Sequence, residues 1–324
     1  MPGEKIRVAL LRGGKSAERE VSLKSGAEVL ANLDRDRFTA LEYDPAAELA
    51  RLVEDAQAGR LDVAFLALHG PMGEDGSVQG LMELLGLPYT GSGLLASALA
   101  MNKAVAKKIF REAGLPVAPD MTATRGEASA DIARKAFQTL GFPLVVKPVS
   151  LGSSVGLTFV RNEGELAAAL AAVFELGSQA LLEKYLPGRE FTCAVLDDQG
   201  GLTALPPIEI IPDSGHILFD YEAKYEPGRC REICPALAAP EIIAEIQRLT
   251  ADAHRALGCR SLSRSDFILS EGQIYLLETN TLPGMTNASL APKMARAFGL
   301  TFTAFISYLL DDALKKRVDL KDYR

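Results

Sequence analysis

Two short apolar runs, Ile6–Leu11 and Val63–Leu68, constrain this chain more than any other feature. Each stops abruptly in a glycine loop, Gly13-Gly14 after the first and His69-Gly70-Pro71 after the second. Each loop leads into a helical pattern. Runs this short and this apolar suit buried strands, and strand, loop and helix in repetition build an α/β layer whose ligand edge lies at the strand C-termini. Ser22 is expected to cap the first helix, which runs to about Leu33. The second helix begins near Ser77 and ends at Gly86. This α/β unit is expected over residues 1–95.

Asn102 is expected to cap a helix that stops at Gly114, and a further helix over Ala128–Leu140 stops at Gly141 before Pro143. The pattern then changes to short strands, Leu144–Lys147, Val155–Val160 and Ala180–Lys184, with a helix over Glu163–Leu176 between the last two. That is a small α+β unit, 96–186. A third unit, 187–324, carries strands Phe191–Leu196, Thr203–Leu205 and Ile208–Ile211. The stretch Asp213–Pro235 has no period and reads as a long loop, a kind usually kept for function or disorder. Ile242, Ile246, Leu249, Ala253 and Leu257 mark an amphipathic helix. A hairpin follows, Ser263–Leu269 and Ile274–Asn280 turned at Glu271-Gly272, and two helices close the chain. The fold class is thus mixed α/β and α+β, in several domains.

The net charge of −7 argues against a nucleic-acid partner, which selects for a basic face. No apolar run is long enough for a membrane span, and the N-terminus lacks the apolar core of a signal peptide. Four cysteines without a C-x-x-C pair, beside three histidines, read as thiols of a reducing cytoplasm rather than a zinc site.

The hairpin carries the strongest local chemistry. Glu278 and Asn280 are two apart on one strand and share a face, and Asp266 on the partner strand joins them if the turn register allows. Two carboxylates and an amide oxygen are hard donors of the kind magnesium takes. Arg264, two residues before Asp266, shares that face and suits a developing anion. The same hairpin also reads as solvated surface. Lys147, on an apolar strand, needs an anion, and the loop Leu151-Gly152-Ser153-Ser154-Val155-Gly156 offers N–H groups and hydroxyls to phosphates. Leu182-Glu183-Lys184-Tyr185-Leu186, with Glu190 beyond, reads either as an adenine and ribose pocket or as an ordinary charged edge strand. Gly13-Gly14-Lys15-Ser16 ends like a phosphate-binding P-loop, but Ala9 stands where the first glycine belongs, inside the expected strand.

Taken in order, these segments resemble the D-alanine–D-alanine ligase family of the ATP-grasp superfamily over nearly the whole chain. The resemblance is carried by Gly13-Gly14-Lys15-Ser16-Ala17-Glu18-Arg19-Glu20-Val21-Ser22, by the segment His69–Gly80, and by Pro88-Tyr89-Thr90-Gly91-Ser92. It continues through Lys103, Tyr221-Glu222-Ala223-Lys224-Tyr225, Arg264-Ser265-Asp266 and the segment Glu278–Thr286. It implies a Rossmann-like layer followed by a two-lobed ATP-grasp fold. It also implies synthesis of D-alanyl-D-alanine for peptidoglycan precursors, in the cytoplasm, by a homodimer.

The resemblance further implies that Lys103, Lys147, Ser154, Glu183, Lys184, Leu186, Glu190 and Lys224 surround ATP, and that Asp266, Glu278 and Asn280 hold two Mg²⁺ (or Mn²⁺) ions. Glu18, Ser153 and Tyr225 would bond together on closure, with Glu18 also on the first substrate's ammonium. Val21 and His69 would lie beside that substrate, Arg264 and the Gly284 N–H would form an oxyanion hole, and Ser289 and Leu290 would hold the second substrate's carboxylate. Tyr225 fits dipeptide rather than D-lactate ester formation. Three departures bear on packing: Arg12 where an apolar or aromatic residue is expected, and Ser265 and Thr279 in place of aliphatics beside the metal residues.

Overall fold

The computed structural model describes residues 4–152, 155–198, 201–212 and 230–315. Its first layer is a parallel sheet of β1 (Ile6–Leu11), β2 (Phe38–Tyr43) and β3 (Val63–Leu66), in the order β2-β1-β3. Helices α1 (Arg19–Ala31), α2 (Leu49–Gln57) and α3 (Ser77–Leu85) accompany it. The sequence did not announce β2 or α2. It also misplaced the start of α1, which begins three residues before the expected cap, at Arg19. The Ser22 hydroxyl is spent on a tertiary link instead. It donates to the Ala67 carbonyl at 2.6 Å and accepts the Gly13 N–H at 2.8 Å, tying the glycine turn after β1 to the end of β3.

Helix α4 (Leu94–Met101) meets α5 (Lys103–Glu112) at Asn102, whose side chain accepts the Val105 N–H at 3.1 Å, as a cap should. That cap fixes Lys103 as the first residue of α5. An antiparallel sheet follows, formed by β4 (Asp120–Thr124), β5 (Leu144–Pro148), β6 (Thr158–Val160) and β7 (Gln179–Lys184), in the order β4-β7-β5-β6. Helices α6 (Ser129–Thr139) and α7 (Glu163–Leu176) cover it through Ile132, Ala136, Leu166 and Leu170. Strand β6 is shorter than the expected Val155–Val160, because Val155 and Leu157 turn to line a cavity.

The third sheet joins β8 (Arg189–Asp198), β9 (Gly201–Ala204), β10 (Ile208–Pro212) and β11 (Cys230–Ile233) to β12 (Leu262–Ser270) and β13 (Gln273–Asn280), in the order β11-β10-β8-β12-β13 with β9 also on β8. Strand β11 falls inside the expected loop Asp213–Pro235: it is too short to show a period, and it forms by pairing with β10. Residues 213–229 of that loop lie outside the described residues. Helix α8 (Pro240–Ala256) packs Ile246, Leu249 and Ala253 against one face of this sheet. Helices α9 (Leu290–Ala297) and α10 (Phe302–Lys315) share a core with the first layer, where Met294, Phe305, Ile306 and Leu309 meet Leu10, Phe38 and Phe65.

Hairpin β12–β13 turns through Glu271 and Gly272, both at positive φ (49° and 80°), the pairing that suits the twist of a two-residue turn. Near its other end the register slips. Asp266 faces Glu278, but Phe267 faces Leu276, so Leu277 is an extra residue, a β-bulge. Before it, Ile274 and Leu276 alternate into the core; after it, Glu278 and Asn280 point to the opposite face.

The three departures in composition are accommodated locally. Ser265 and Thr279 are cross-strand partners whose hydroxyls bond each other at 2.9 Å in the interior. Arg12 pairs with Glu42 and passes over Gly26 of α1, where an added Cβ would lie 2.5 Å from the Arg12 side chain. A glycine on the helix thus makes room for the arginine.

Candidate active site

One cavity of about 940 Å³ opens between the three sheets, a size within the usual range for small-molecule sites. Every candidate site residue among the described ones lines it: Glu18, Val21, His69, Lys103, Lys147, Glu183, Lys184, Leu186, Glu190, Arg264, Asp266, Glu278, Asn280, Gly284, Ser289 and Leu290. Ser153, Ser154, Lys224 and Tyr225 lie outside the described residues.

The hairpin supplies one wall. Asp266 opposes Glu278, and Arg264 opposes Asn280. The Arg264 guanidinium is fixed by two bonds to Asp266, 3.0 Å from Nε and 2.9 Å from the terminal nitrogen. Burial works against its charge, but Asp266 and Glu278 outweigh burial and hold it more firmly protonated than a free arginine. Thr192 on β8 donates to Asp266 at 2.6 Å, a contact that sequence alone did not suggest. The Asn280 side-chain oxygen accepts the Leu282 N–H at 2.9 Å and keeps its second lone pair.

The antiparallel sheet supplies the facing wall. Lys147 and Glu183 sit diagonally on adjacent strands and pair at 2.5 Å. Glu183 is only 5% exposed at its side chain, and its other oxygen accepts from Lys107, which the sequence reading missed. Burial alone would push Glu183 up, but Lys147 and Lys107 together pull it down to about 2. Lys147 is half-buried, which works against its charge, yet Glu183 and then Glu278 hold it above the ordinary lysine value. Between the walls, Lys103 donates to the Leu151 carbonyl at 2.6 Å and lies 3.3 Å from Glu278.

The parallel layer closes a third side. Glu18 immediately precedes α1. Its carboxylate lies so close to Gly70 that an added Cβ there would come within 2.5 Å of it, and Gly70 also needs its positive φ of 71°. The same carboxylate lies beside Gly152 of the glycine-serine loop. His69 is oriented from both ring nitrogens, with Ser25 Oγ 2.9 Å from Nε2 and Glu74 3.5 Å from Nδ1.

The segment after β13 completes the enclosure. Gly284 is required by contact, since a Cβ would stand 2.9 Å from Ser289 Oγ. Ser289 and Leu290 begin α9, whose free N–H groups suit a carboxylate.

The P-loop reading fails on the backbone. The Gly13 N–H is taken by Ser22, and the Gly14 N–H by Asp44 at 2.9 Å, leaving neither for a phosphate. Lys15 is exposed and does not line the cavity.

Comparison with known proteins points the same way. Residues 109–311 match the family described as D-ala D-ala ligase C-terminus, and residues 40–92 match D-ala D-ala ligase N-terminus. The D-alanine–D-alanine ligase of Syntrophobacter fumaroxidans is 51% identical over 97% of this chain and 100% of its own length. A crystal structure of the Bacillus anthracis D-alanine–D-alanine ligase complexed with ATP superposes with a TM-score of 0.82 at 33% identity, covering 98% of this chain and 100% of that one. The VanG D-Ala:D-Ser ligase of Enterococcus faecalis gives a TM-score of 0.83 at 31% identity, covering 96% and 100%.

Proposed function

Because the chain belongs to the D-alanine–D-alanine ligase family, we propose that this cavity joins two D-alanines into D-alanyl-D-alanine through an acylphosphate, as ATP becomes ADP and phosphate. The protein is an ATP-dependent carbon–nitrogen ligase of cell-wall synthesis. One observation carries the finer reading: the hairpin acids, the lysines Lys103, Lys147 and Lys184, and the Glu18–His69 side of the parallel layer all line a single space.

The hairpin fits a divalent ion. Asp266 and Glu278 oppose each other in register, and Asn280 adds an amide oxygen on the same face, so all the donors are hard oxygens. In this reading the three residues hold two Mg²⁺ or Mn²⁺ ions, which when bound neutralise charge on the nucleotide's phosphates. Lys103, Lys147 and Lys184 add fixed positive charge there, and Glu183, Leu186 and Glu190 hold the rest of the nucleotide. Glu18 holds the first D-alanine's ammonium, with Val21 and His69 beside it, while that D-alanine's carboxylate attacks the γ-phosphate and ADP leaves.

The acylphosphate then meets the second amine, and negative charge grows on the carbonyl oxygen. Arg264, already fixed by Asp266, and the Gly284 N–H aim at that oxygen; such donors are worth about 3–4 kcal/mol each. Ser289 and Leu290, at the start of α9, hold the second carboxylate. Water would hydrolyse the acylphosphate, so the site must close. Ser153 and Tyr225 are assigned to closure over Glu18, and Ser154 and Lys224 to the nucleotide. The same reading divides the chain into 1–95, 96–186 and 187–324, and assigns the enzyme to the cytoplasm as a homodimer. Among the described residues, no single helix is long and apolar enough to cross a membrane.

The experiment is phosphate release from ATP and Mg²⁺ with D-alanine, L-alanine, D-serine or D-lactate offered in turn. D-alanine alone should support full turnover and yield the dipeptide. Equal turnover with L-alanine, or ester as the main product when D-lactate joins D-alanine at neutral pH, would overturn the substrate assignment.

A further inference from the structure

Lys107 is a buried cation that the reaction above does not use. It lies on α5, one turn beyond Lys103, with a side chain only 1% exposed, and it does not line the cavity. Its ammonium donates to one oxygen of Glu183 and lies 3.8 Å from Asp120, which Arg111 also holds. Asp120 and Glu183 are direct cross-strand partners on β4 and β7. Two carboxylates so placed repel, and Lys107 stands between them. Lys147, which does line the cavity, takes the second oxygen of Glu183 at 2.5 Å.

Burial drags the Lys107 ammonium below the ordinary lysine range even with Glu183 against it. A buried ion cluster is a poor source of stability compared with packed apolar side chains, so stability alone does not account for it. What the cluster does provide is direction. With one Glu183 oxygen occupied from behind, the carboxylate can neither rotate toward Asp120 nor draw Lys147 inward.

We propose that Lys107 is a positioning residue for the nucleotide: held behind the cavity wall, it locks Glu183, and through Glu183 it locks Lys147 at the cavity surface. The proposal rests on the assignment of this wall to ATP. Without Lys107, Arg111 alone offsets Asp120, and Lys147, left as the one lysine on Glu183, is drawn off the phosphates.

The test compares wild type, Lys107→Met, and Lys107→Met with Asp120→Asn, which removes the opposed acid together with the cation. Phosphate release gives KM for ATP and for D-alanine, calorimetry gives the Kd of ATP with Mg²⁺, and thermal unfolding gives Tm. Lys107→Met should raise the ATP KM and Kd by about ten- to a hundredfold, the scale of a lost charge-assisted hydrogen bond, with the D-alanine KM little changed. The double variant should regain Tm but keep the ATP defect. Wild-type ATP binding in either folded variant would overturn the proposal. So would loss of folding in both, which would mark Lys107 as purely structural. Wild type inactive with D-alanine would instead sink the ligase reading, a separate outcome.

Discussion

The two walls of the cavity are built from the same kinds of residue and behave as opposites. On the hairpin, the side chains of Asp266 and Glu278 keep 19% and 28% of their exposure, with Arg264 and Lys103 as partners. On the antiparallel sheet, Glu183 and Lys107 keep 5% and 1%. An acid that still faces the cavity can exchange a protein cation for an arriving one. An acid whose two oxygens are each already held by a lysine cannot, and its main service is to hold those lysines in place. Exposure, rather than residue type, separates a ligand from a support.

The largest effect that would break this contrast is on the open wall. Asp266→Asn or Glu278→Gln should cut kcat/KM by about a thousandfold or more, since several kcal/mol of charge stabilisation depend on those oxygens. The same variants should lose the rise in Tm that Mg²⁺ with ADP gives the wild type. A variant that kept both turnover and that rise would show that the hairpin is only a polar surface.

The sealed wall should instead reveal itself in acid. Glu183 titrates near 2 in the folded protein against an ordinary value of 4.5, so the unfolded chain binds more protons between those limits. Its stabilisation is complete above about pH 4.5 and is lost as pH falls toward 2. Glu183→Gln should therefore flatten part of the fall in Tm across that window. A variant that falls as steeply as the wild type would erase the distinction between the walls.

The smallest effect concerns the back of the hairpin. Ser265→Ala leaves the buried Thr279 hydroxyl without its 2.9 Å partner and should cost about 1–2 kcal/mol in urea unfolding. Adding Thr279→Val should return much of that, with ATP affinity untouched throughout.

Much of this was legible where the physics is local. The hairpin turn at Glu271-Gly272, the Asn102 cap and the helix ends at Gly86 and Gly114 depend on a few neighbouring residues, and they appear where the sequence put them. What escaped depends on partners distant in sequence. Ser22 has the chemistry of a cap, but its hydroxyl is taken by Ala67, 45 residues away. Strand β11 exists only because β10 offers it an edge. Lys107 looks like any solvated helix lysine until Glu183 closes over it, 76 residues later in the chain. Spacing brought Glu278 and Asn280 together on one face, yet it could not say that this face is the one opposite Ile274 and Leu276.

That last point depends on Leu277. A strand counts in twos, and the extra residue changes odd into even halfway along β13. Were that leucine paired in the ladder instead of bulged out of it, every donor at positions 278 and 280 would still be present in the sequence, yet each would be turned toward helix α8 instead of the cavity. In this enzyme, the parity of a chain segment is as much an inherited trait as the identity of its acids.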